Sequence, residues 1–327
     1  MNQKDPLIGK IFGDYRIIEE IGRGGMGIVY LAEHTRLKEL YALKILPPEL
    51  AENKDFVHRF YLEAKVMARL SHPHITELVN MGKEEGLYYL VMRYIVGPEG
   101  RPKNLEALIR EHGGKLPVEM AEKIARQISD ALRYAHNYRD GDAPNGIIHL
   151  DLKPSNVLIN RSNNVKLSDF GLAKMVGQDY MASRWGQAYY YQTASMGEQR
   201  PETQTGFSSS STGSYDYLSP ELRDNRPPDR RSDIYSLGAI IYTMLTGRKP
   251  VGAIEYPSEI DNSIPSYWDT IIKKCLQIMP GKRYQDVSEL QKDIDREEKV
   301  VSFPDERPER LPVGRIPIGE VLRDLYL

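Results

Sequence analysis

Two short stretches carry a dense set of side chains that could do chemistry. The first, residues 148–159, contains Asp151, Lys153 and Asn156, and a second aspartate, Asp169, follows shortly. An aspartate can orient a hydroxyl and accept its proton, an aspartate with an asparagine can hold a hard cation through oxygen, and a lysine can neutralise a transferring phosphoryl group. Apolar strand-forming residues border both stretches, which predicts short strands that bring these groups to one point. A polar loop between two strands is the alternative when either stretch is taken alone.

A glycine-rich segment near the N-terminus could cover phosphates. Its glycines, Gly22, Gly24 and Gly27, have the spacing G-x-G-x-x-G, which dinucleotide-binding folds also use. Those folds need a helix after the glycines, whereas Ile28–Leu31 is β-branched and aromatic and predicts a strand. We therefore expect a strand–turn–strand flap, with the first strand over residues 15–21 and with backbone N–H groups that face phosphates.

A lysine inside a hydrophobic strand requires a partner. Lys44 lies in the predicted strand Tyr41–Leu46, where an isolated charge is costly. Downstream, apolar residues recur at positions 56, 60, 64 and 67 with the helical period, and Glu63 falls at the edge of that face. The pattern predicts a Lys44–Glu63 ion pair and a helix that ends at residues 71–73. A solubility lysine on an edge strand is the alternative.

The composition excludes several classes of function. The chain has 327 residues, is 28% charged and 40% hydrophobic, and has a formal net charge of −2, so it has no overall basic field for nucleic acid. The single cysteine, Cys275, excludes an intramolecular disulfide and lies in an apolar helical pattern, which predicts a buried structural thiol. The first six residues do not resemble a signal peptide, and the longest apolar run, 237–245, is too short to cross a bilayer. We expect a cytoplasmic chain without membrane contact of its own, while an anchor beyond Leu327 stays open.

The chain divides at a Gly/Pro cluster, residues 97–102. A predicted strand, residues 87–92, precedes this cluster, and strands with one helix fill the segment before it. Helical patterns at 105–112 and 118–138 follow it. A small β-rich lobe followed by a mainly helical lobe is therefore expected.

The motifs together resemble the domain of eukaryotic-type protein kinases and are most similar to the bacterial Ser/Thr members of that family. In order they are the glycine loop, the strand lysine, the helix glutamate, H-x-D-x-K-x-x-N at 149–156, D-F-G at 169–171 and S-P-E at 219–221. The resemblance is collinear and implies an α+β, bilobal kinase fold with a small antiparallel N-terminal sheet and one helix, and a larger helical C-terminal lobe. It implies the following divisions: a kinase domain at 13–296, an N-lobe at about 13–96, a C-lobe at about 103–296, an activation segment at 169–221, and a linker with a short helix at 297–327.

The resemblance also implies a role for each site residue. Residues expected to contact ATP are Gly22, Arg23, Gly24, Gly25, Met26, Gly27, Val29, Ala42, Lys44, Met92, Arg93, Tyr94, Ile95, Leu158 and Asp169. Among them the glycine loop would cover the phosphates, Val29, Ala42 and Leu158 would sandwich the base, and residues 92–95 would be the gatekeeper and hinge. The catalytic set would be Asp151, which accepts the substrate proton, with Lys153, Lys44 and Glu63. Asn156 and Asp169 would hold Mg²⁺ or Mn²⁺.

Further positions favour protein Ser/Thr substrates over tyrosine. Lys153 follows Asp151 at the Ser/Thr-type spacing, and Ser214 stands where such kinases have a hydroxyl near the catalytic aspartate. Asp233 is expected to anchor the catalytic loop, and Arg283 is expected to pair with Glu221. Two other functions stay open: a pseudokinase that acts as a scaffold, and a small-molecule phosphotransferase of the same fold. Family members pair through their N-lobes, so a homodimer is open by analogy.

Three departures from the family concern regulation. Leu150 replaces the arginine that reads activation-loop phosphate, which predicts weak dependence on such a phosphate. The insertion at 177–212 is rich in hydroxyl acceptors and low in core-forming residues, so it is either disordered or an autophosphorylated or inhibitory loop. Three roles stay open for the predicted short amphipathic helix at 318–327: docking on this domain, binding a partner, or beginning a further region. A helix this short would be marginal alone, which favours docking on this domain.

Overall fold

The computed structural model describes residues 5–24, 27–52, 54–140, 143, 146–170, 174–175, 215–224 and 226–301. The predicted insertion, the tail helix, and Gly25, Met26 and Ser214 lie outside these residues. The strands are β1 (Ile11–Phe12), β2 (Tyr15–Gly24), β3 (Gly27–His34), β4 (Leu40–Ile45), β5 (Leu78–Glu84), β6 (Leu87–Arg93), β7 (Ile147–Ile148), β8 (Val157–Ile159), β9 (Val165–Leu167) and β10 (Lys174–Met175). The helices are α1 (Pro48–Ala51), α2 (Lys54–Met67), α3 (Leu105–Glu111), α4 (Val118–Asn137), α5 (Pro220–Arg223), α6 (Arg230–Thr246), α7 (Pro257–Ile260), α8 (Tyr267–Cys275) and α9 (Val287–Val301).

A six-stranded antiparallel sheet forms the N-terminal lobe, with the strand order β1-β2-β3-β4-β6-β5. Cross-strand partners share a face, because side chains alternate along each strand. Val29 pairs with Lys44, and Ala42 pairs with Met92, so these four side chains lie on one face. Tyr30 belongs to the opposite face, which carries its own small hydrophobic core. We call this the outer-face core: Phe12, Tyr15, Ile17, Tyr30, Ala32, Tyr41, Leu43, Ile45, Tyr89 and Val91.

The C-terminal lobe is built around α6. Asp229 caps its start by accepting from the backbone of Arg231, and Gly247, with φ of 72°, ends it. Every residue from 232 to 246 is buried, which is unusual for a helix and places α6 at the centre of the lobe. Cys275 on α8 is fully buried, as the sequence predicted. The predicted class, a small antiparallel sheet lobe with a larger helical lobe, is confirmed.

Some local predictions differ from the structure. Helix α2 ends at Met67 rather than at residues 71–73. The following chain is held in non-helical geometry, since the backbone N–H of Ser71 binds the Tyr134 hydroxyl at 3.1 Å and that of His74 binds the ring of His72 at 3.1 Å. The sequence also did not predict the one-turn helix α1 or strand β5. Strand β5 lies at the sheet edge and is mostly exposed, so it lacks a hydrophobic period.

Within the described residues, none of the helices has the length and apolarity that crossing a membrane requires.

Candidate active site

A buried carboxylate at the start of α6 fixes the backbone that precedes Asp151. Asp233 is fully buried, and its two oxygens accept hydrogen bonds from the backbone N–H groups of His149 and Leu150, each at 2.8 Å. The Nε2 atom of His136 also lies 2.8 Å from Asp233. Burial alone would raise the pKa of Asp233, but these hydrogen bonds outweigh it and lower the pKa. The position of Asp151 therefore depends on an ionised side chain more than 80 residues away in the sequence.

Asp151, Lys153 and Asn156 converge as the sequence predicted they would. The Lys153 ammonium lies 2.9 Å and 3.1 Å from the two carboxylate oxygens of Asp151. The amide nitrogen of Asn156 donates to the backbone oxygen of Asp151 at 2.8 Å and to its Oδ2 at 3.0 Å. A 3-10 turn over Pro154–Asn156 makes this possible, because it folds Asn156 back towards the aspartate. The Asp151 carboxylate is thus oriented by two side chains from its own loop.

Lys44 joins the two lobes through two carboxylates. Its Nζ lies 2.7 Å from Glu63 on α2 and 2.8 Å from Asp169 in the C-terminal lobe. Burial by itself would lower the pKa of Lys44, but Asp169 and Glu63 outweigh it and raise the pKa, so the amine is charged. Burial also opposes ionisation of Asp169, yet Lys44 lowers its pKa. The predicted Lys44–Glu63 pair is present, and the additional link to Asp169 places Lys44 beside the second acidic residue of the site.

The backbone around the two acidic stretches adopts a conformation that non-glycine residues rarely take. Leu150 has φ of 63° and Asp169 has φ of 58°, both in the left-handed region. Such strain is found where the surrounding structure holds the chain in place. Here the buried ring of His149 packs on Phe170 at a centroid distance of 4.4 Å and contacts the backbone oxygen of Ser168 at 3.1 Å. Burial lowers the pKa of His149, so the ring is neutral and ties the two stretches together without adding charge.

The glycine-rich segment forms the predicted strand–turn–strand hairpin. Gly24 pairs with Gly27 at its tip, and Gly22 lies in the same hairpin on β2. A Cβ at Gly27 would lie 2.9 Å from a backbone oxygen of β4 and 3.2 Å from Cγ of Lys44, so only glycine fits there without a shift. Arg23 forms an exposed ion pair within β2. The described glycines of this segment, Gly22, Gly24 and Gly27, have only backbone groups to offer a ligand.

Three of the four side chains predicted to surround a nucleotide base share one face of the sheet. Val29, Ala42 and Met92 project from the same sheet face, and the first two are only half-buried, as expected for the wall of an open site. Leu158, also half-buried, lies in β8. Two contacts attach β8 to the segment that joins the lobes. Leu158 forms an isolated β-bridge with Asn104, and the Ile159 N–H donates to the backbone oxygen of Lys103 at 2.8 Å. Leu158 is thus held next to the segment that joins the lobes.

The predicted hinge begins at the last residue of β6. Arg93 is its first residue, and its backbone N–H is already used by Glu77 at 3.0 Å. The guanidinium of Arg93 lies over the ring of Tyr41 at 5.7 Å, so this side chain is engaged on the sheet. Tyr94 and Ile95 have irregular, half-buried backbone. The backbone N–H and the guanidinium of Arg93 thus both have partners within the protein.

The site offers two side-chain oxygen atoms to a divalent cation whose other ligands would be phosphate and water oxygens. Because the Asn156 amide nitrogen binds Asp151, the amide oxygen is the atom it can present to a cation. The Asp169 side chain is 38% exposed, and Lys44 contacts only its Oδ1. Among the described residues no group of three or more His, Cys, Asp or Glu side chains could hold a metal ion alone. This donor set fits Mg²⁺, which typically binds one or two protein oxygens together with substrate phosphates and water.

The segment after the insertion is anchored to the C-terminal lobe. Arg283 forms two hydrogen bonds with Glu221, at 2.8 Å and 2.7 Å, and Ser232 donates a third at 2.6 Å. Burial would raise the pKa of Glu221, but these bonds outweigh it and lower the pKa to about 2. Nearby, Lys249 binds the Asp216 side chain at 2.8 Å. The Glu221–Arg283 pair that the sequence predicted is present.

Two functional contacts were not found from the sequence. His136 was not singled out, although it lies on the buried face of α4 with Leu132 and Ala135, and a polar residue in such a position requires a partner. The packing of His149 on Phe170 also had no signal in the local pattern. The signal for His136 is its position: it is a polar residue at a helical position that the apolar pattern of α4 marks as buried.

Comparisons with known proteins agree with this geometry. The family described as protein kinase domain matches residues 15–294. A probable serine/threonine-protein kinase of Clostridium perfringens is 32% identical over 90% of this chain and 40% of that protein. The serine/threonine-protein kinase PrkC of Bacillus subtilis is 33% identical, over 88% of this chain and 41% of that protein. The chain therefore spans about two fifths of the length of these curated relatives.

A solved structure shows the same fold. A variant of the Mycobacterium tuberculosis PknI kinase domain superposes with a TM-score of 0.63 at 25% sequence identity. The superposition covers 89% of this chain and 98% of the PknI chain. The likeness thus extends over both lobes of the described structure.

Proposed function

Since the chain belongs to the protein kinase family, we propose that it transfers the γ-phosphate of ATP to serine or threonine hydroxyls of protein substrates. One observation supports this most directly. Lys44 contacts Glu63 at 2.7 Å and Asp169 at 2.8 Å, so the strand lysine, the helix glutamate and the second acidic residue are already assembled. Phosphoryl transfer depends mainly on positioning and charge neutralisation, and this cluster provides both.

Each residue has a role that follows from its position. Asp151 orients the acceptor hydroxyl and takes its proton, and Lys153 stabilises the charge of the transferring group. Lys44 holds the α- and β-phosphates, and Glu63 fixes Lys44. When bound, Mg²⁺ neutralises phosphate charge, and Asn156 and Asp169 are the oxygen ligands that this chain offers it. The glycine hairpin covers the phosphates with backbone N–H groups.

The arrangement around Asp151 favours serine and threonine acceptors. Lys153 lies 2.9 Å from the Asp151 carboxylate and occupies space beside it. A short aliphatic hydroxyl can approach an aspartate flanked in this way, and the cation remains available to the phosphoryl group. The anchored segment at 215–221 supports a peptide rather than a small molecule as the acceptor.

A phosphate-transfer assay tests the proposal. The chain is incubated with radiolabelled ATP, Mg²⁺ and a generic basic protein substrate, and label on protein Ser and Thr is measured. Asp151→Asn should abolish transfer. The matched control is Asp14→Asn, the same change at an exposed aspartate in the β1–β2 turn, which should leave transfer unchanged.

The outcomes separate the three candidate functions. Label on protein that is lost in Asp151→Asn supports the proposed kinase. ATP binding without transfer by the wild type would identify a scaffold, and label on a small-molecule acceptor but not on protein would identify the other phosphotransferase class. Either of the last two results contradicts the proposal.

The proposal extends to regulation through Leu150. This side chain is only 6% exposed, and the residue is held in a left-handed conformation by Asp233. An apolar side chain at this position cannot bind a loop phosphate. We therefore expect transfer to depend weakly on phosphorylation of the activation segment.

Phosphatase treatment tests this expectation. The chain is first incubated with ATP and Mg²⁺, and mass spectrometry identifies any autophosphorylated residues. The treated and untreated forms are then compared at equal concentration. Similar rates support the expectation, whereas loss of activity on dephosphorylation contradicts it.

A further inference from the structure

The N-terminal residues form a strap over the outer face of the sheet. We define the N-terminal strap as residues 5–12. Gly9 donates its N–H to the backbone oxygen of Ile17 at 2.9 Å, and Lys10 accepts from the Ile17 N–H at 2.9 Å, so the strap is bonded to β2. Phe12 is 1% exposed and is part of the outer-face core, and Leu7 and Ile8 pack against that core. The strap therefore forms part of the lobe.

One side-chain hydrogen bond links the start of the strap to the glycine hairpin. The Tyr30 hydroxyl donates to Oδ2 of Asp5 at 2.8 Å. The other carboxylate oxygen of Asp5 accepts the Leu7 N–H at 2.9 Å, which fixes the aspartate in its turn. Tyr30 is 1% exposed, so its hydroxyl needs a hydrogen-bond partner, and the half-buried Asp5 provides one.

Tyr30 lies directly beside the residues that cover the nucleotide. It belongs to β3, three residues after Gly27, and pairs with Glu20 on β2. Its neighbour Val29 projects to the opposite face and pairs with Lys44. Because side chains alternate along a strand, holding Tyr30 on the outer face fixes the orientation of Val29 in the cleft.

A small ionic group surrounds this bond. Arg23 bonds to Glu20 at 3.0 Å and 2.7 Å, and Glu20 is the cross-strand partner of Tyr30. Both strands of the hairpin thus carry polar side chains near the Tyr30 hydroxyl. The Arg23–Glu20 pair is exposed and contributes little alone, so the partly buried Tyr30–Asp5 bond is the stronger of the two side-chain restraints on this side of the hairpin.

We propose that Asp5 and Tyr30 are positioning residues for nucleotide binding, because their hydrogen bond holds the glycine hairpin in the geometry that closes over the phosphates. The inference rests on the proposed function as an ATP-dependent kinase. Neither residue contacts the nucleotide, and each acts through the backbone of β3. Loss of the bond loosens the hairpin and weakens MgATP binding, while the catalytic loop, which lies in the other lobe, is unchanged.

The test separates nucleotide binding from turnover. Tyr30→Phe and Asp5→Ala are each expected to raise the KM for MgATP about three- to tenfold, the range for one lost hydrogen bond, with kcat changed by less than about twofold. A direct MgATP titration should show the same weakening. Circular dichroism and thermal unfolding establish that each variant is folded at the assay temperature.

Tyr41→Phe is the matched control. The Tyr41 hydroxyl also donates to a carboxylate, Oε2 of Glu39 at 2.9 Å, and Tyr41 belongs to the same outer-face core. It pairs with Ala32, towards the opposite end of β3 from the glycine turn. The same loss of a hydroxyl there should leave the KM for MgATP unchanged, even if the melting temperature falls.

A double-mutant cycle completes the test. If the bond carries the effect, Asp5→Ala combined with Tyr30→Phe should weaken MgATP binding no more than the larger single change. Three results would each overturn the proposal. They are an unchanged KM for MgATP in both single variants, additive effects in the double variant, and an equal rise of the KM for MgATP in Tyr41→Phe. A wild-type chain that binds no MgATP would overturn the proposed function itself, and this inference with it.

Discussion

Replacing Asp233 by asparagine should loosen the catalytic loop without changing the size of a buried side chain. In the structure the carboxylate accepts from two backbone N–H groups, those of His149 and Leu150, and contacts the ring of His136. Asparagine keeps one oxygen acceptor but replaces the other with an NH₂ group. One backbone N–H that now faces an oxygen will then face a donor.

The expected loss of stability follows from these contacts. The His136 ring can change tautomer and accept from the new amide, so its contact is partly preserved. The His149 N–H, which shares the same carboxylate oxygen, is then left buried without an acceptor. Loss of a hydrogen bond to a charged group and the unsatisfied donor together should lower the free energy of unfolding by about 3–5 kcal/mol. That is a large part of the stability of an ordinary domain.

Activity should fall as well, because His149, whose N–H loses its acceptor, leads directly into the left-handed Leu150 and then into the catalytic loop. Asp151 follows immediately, and a displacement of about 1 Å at a reacting group can reduce the rate about a hundredfold. We therefore expect kcat to fall at least about tenfold under conditions in which the variant remains folded.

The pH dependence of the free energy of unfolding is a second test of the Asp233 contacts. The pKa of Asp233 is lowered from its ordinary value of 3.8, so its contribution to stability is complete above that pH and is lost as the pH falls below it. The asparagine variant cannot lose this contribution, so the gap in stability between wild type and variant should narrow in acid. Urea unfolding at several pH values measures both quantities, with Asp14→Asn as the control. A change below about 1 kcal/mol at neutral pH, or a gap that is independent of pH, would refute the reasoning.

Three further predictions follow from single contacts in the same lobes. Lys44→Met should lower kcat about 10²–10³-fold in the transfer assay, because it removes the cation that faces the phosphates. Gly27→Ala places a Cβ 3.2 Å from Cγ of Lys44 and should raise the KM for ATP, whereas Gly281→Ala, with no atom within 4 Å, should be neutral in the same assay. Glu221→Gln should destabilise the fold by about 3–5 kcal/mol in urea unfolding, since it leaves the buried Arg283 charge unpaired. The pKa of Glu221 is lowered to about 2 from 4.5, so this stabilisation is present above pH 4.5 and should disappear in the wild type as the pH falls towards 2.

Elements with a strong hydrophobic period could be predicted from the sequence. Strand β4 and helix α4 appeared at nearly the expected positions, because apolar residues mark their buried faces. Strand β5 could not be predicted in this way, because its residues are mostly exposed and the pairing with β6 supplies its order. The end of α2 was also wrong, since contacts from Ser71 and His72, rather than the local turn signal, determine where the chain leaves the helix.

The site was predictable as a set of residues but not as a network. The sequence indicated a Lys44–Glu63 pair from the strand and helix periods, yet it gave no reason to place Asp169, 125 residues away, against the same ammonium. The contact of His136 with Asp233 is similarly remote, at a separation of 97 residues. The local sequence pattern determines which side chains are buried, whereas the partner of each polar side chain depends on how distant helices and strands pack together in the fold.

The alternation of strand β3 explains why an outer-face contact can influence the cleft. Val29 and Tyr30 are consecutive and must point to opposite faces, so any rotation of the strand that moves one also moves the other. On the opposite side, Val29 pairs with Lys44, whose position is fixed by the buried carboxylate of Glu63. On the outer side, Tyr30 is fixed by Asp5 and the surrounding apolar core. Strand β3 is therefore restrained from both faces, and removal of the outer restraint should be felt first at its glycine end, where β3 begins at Gly27.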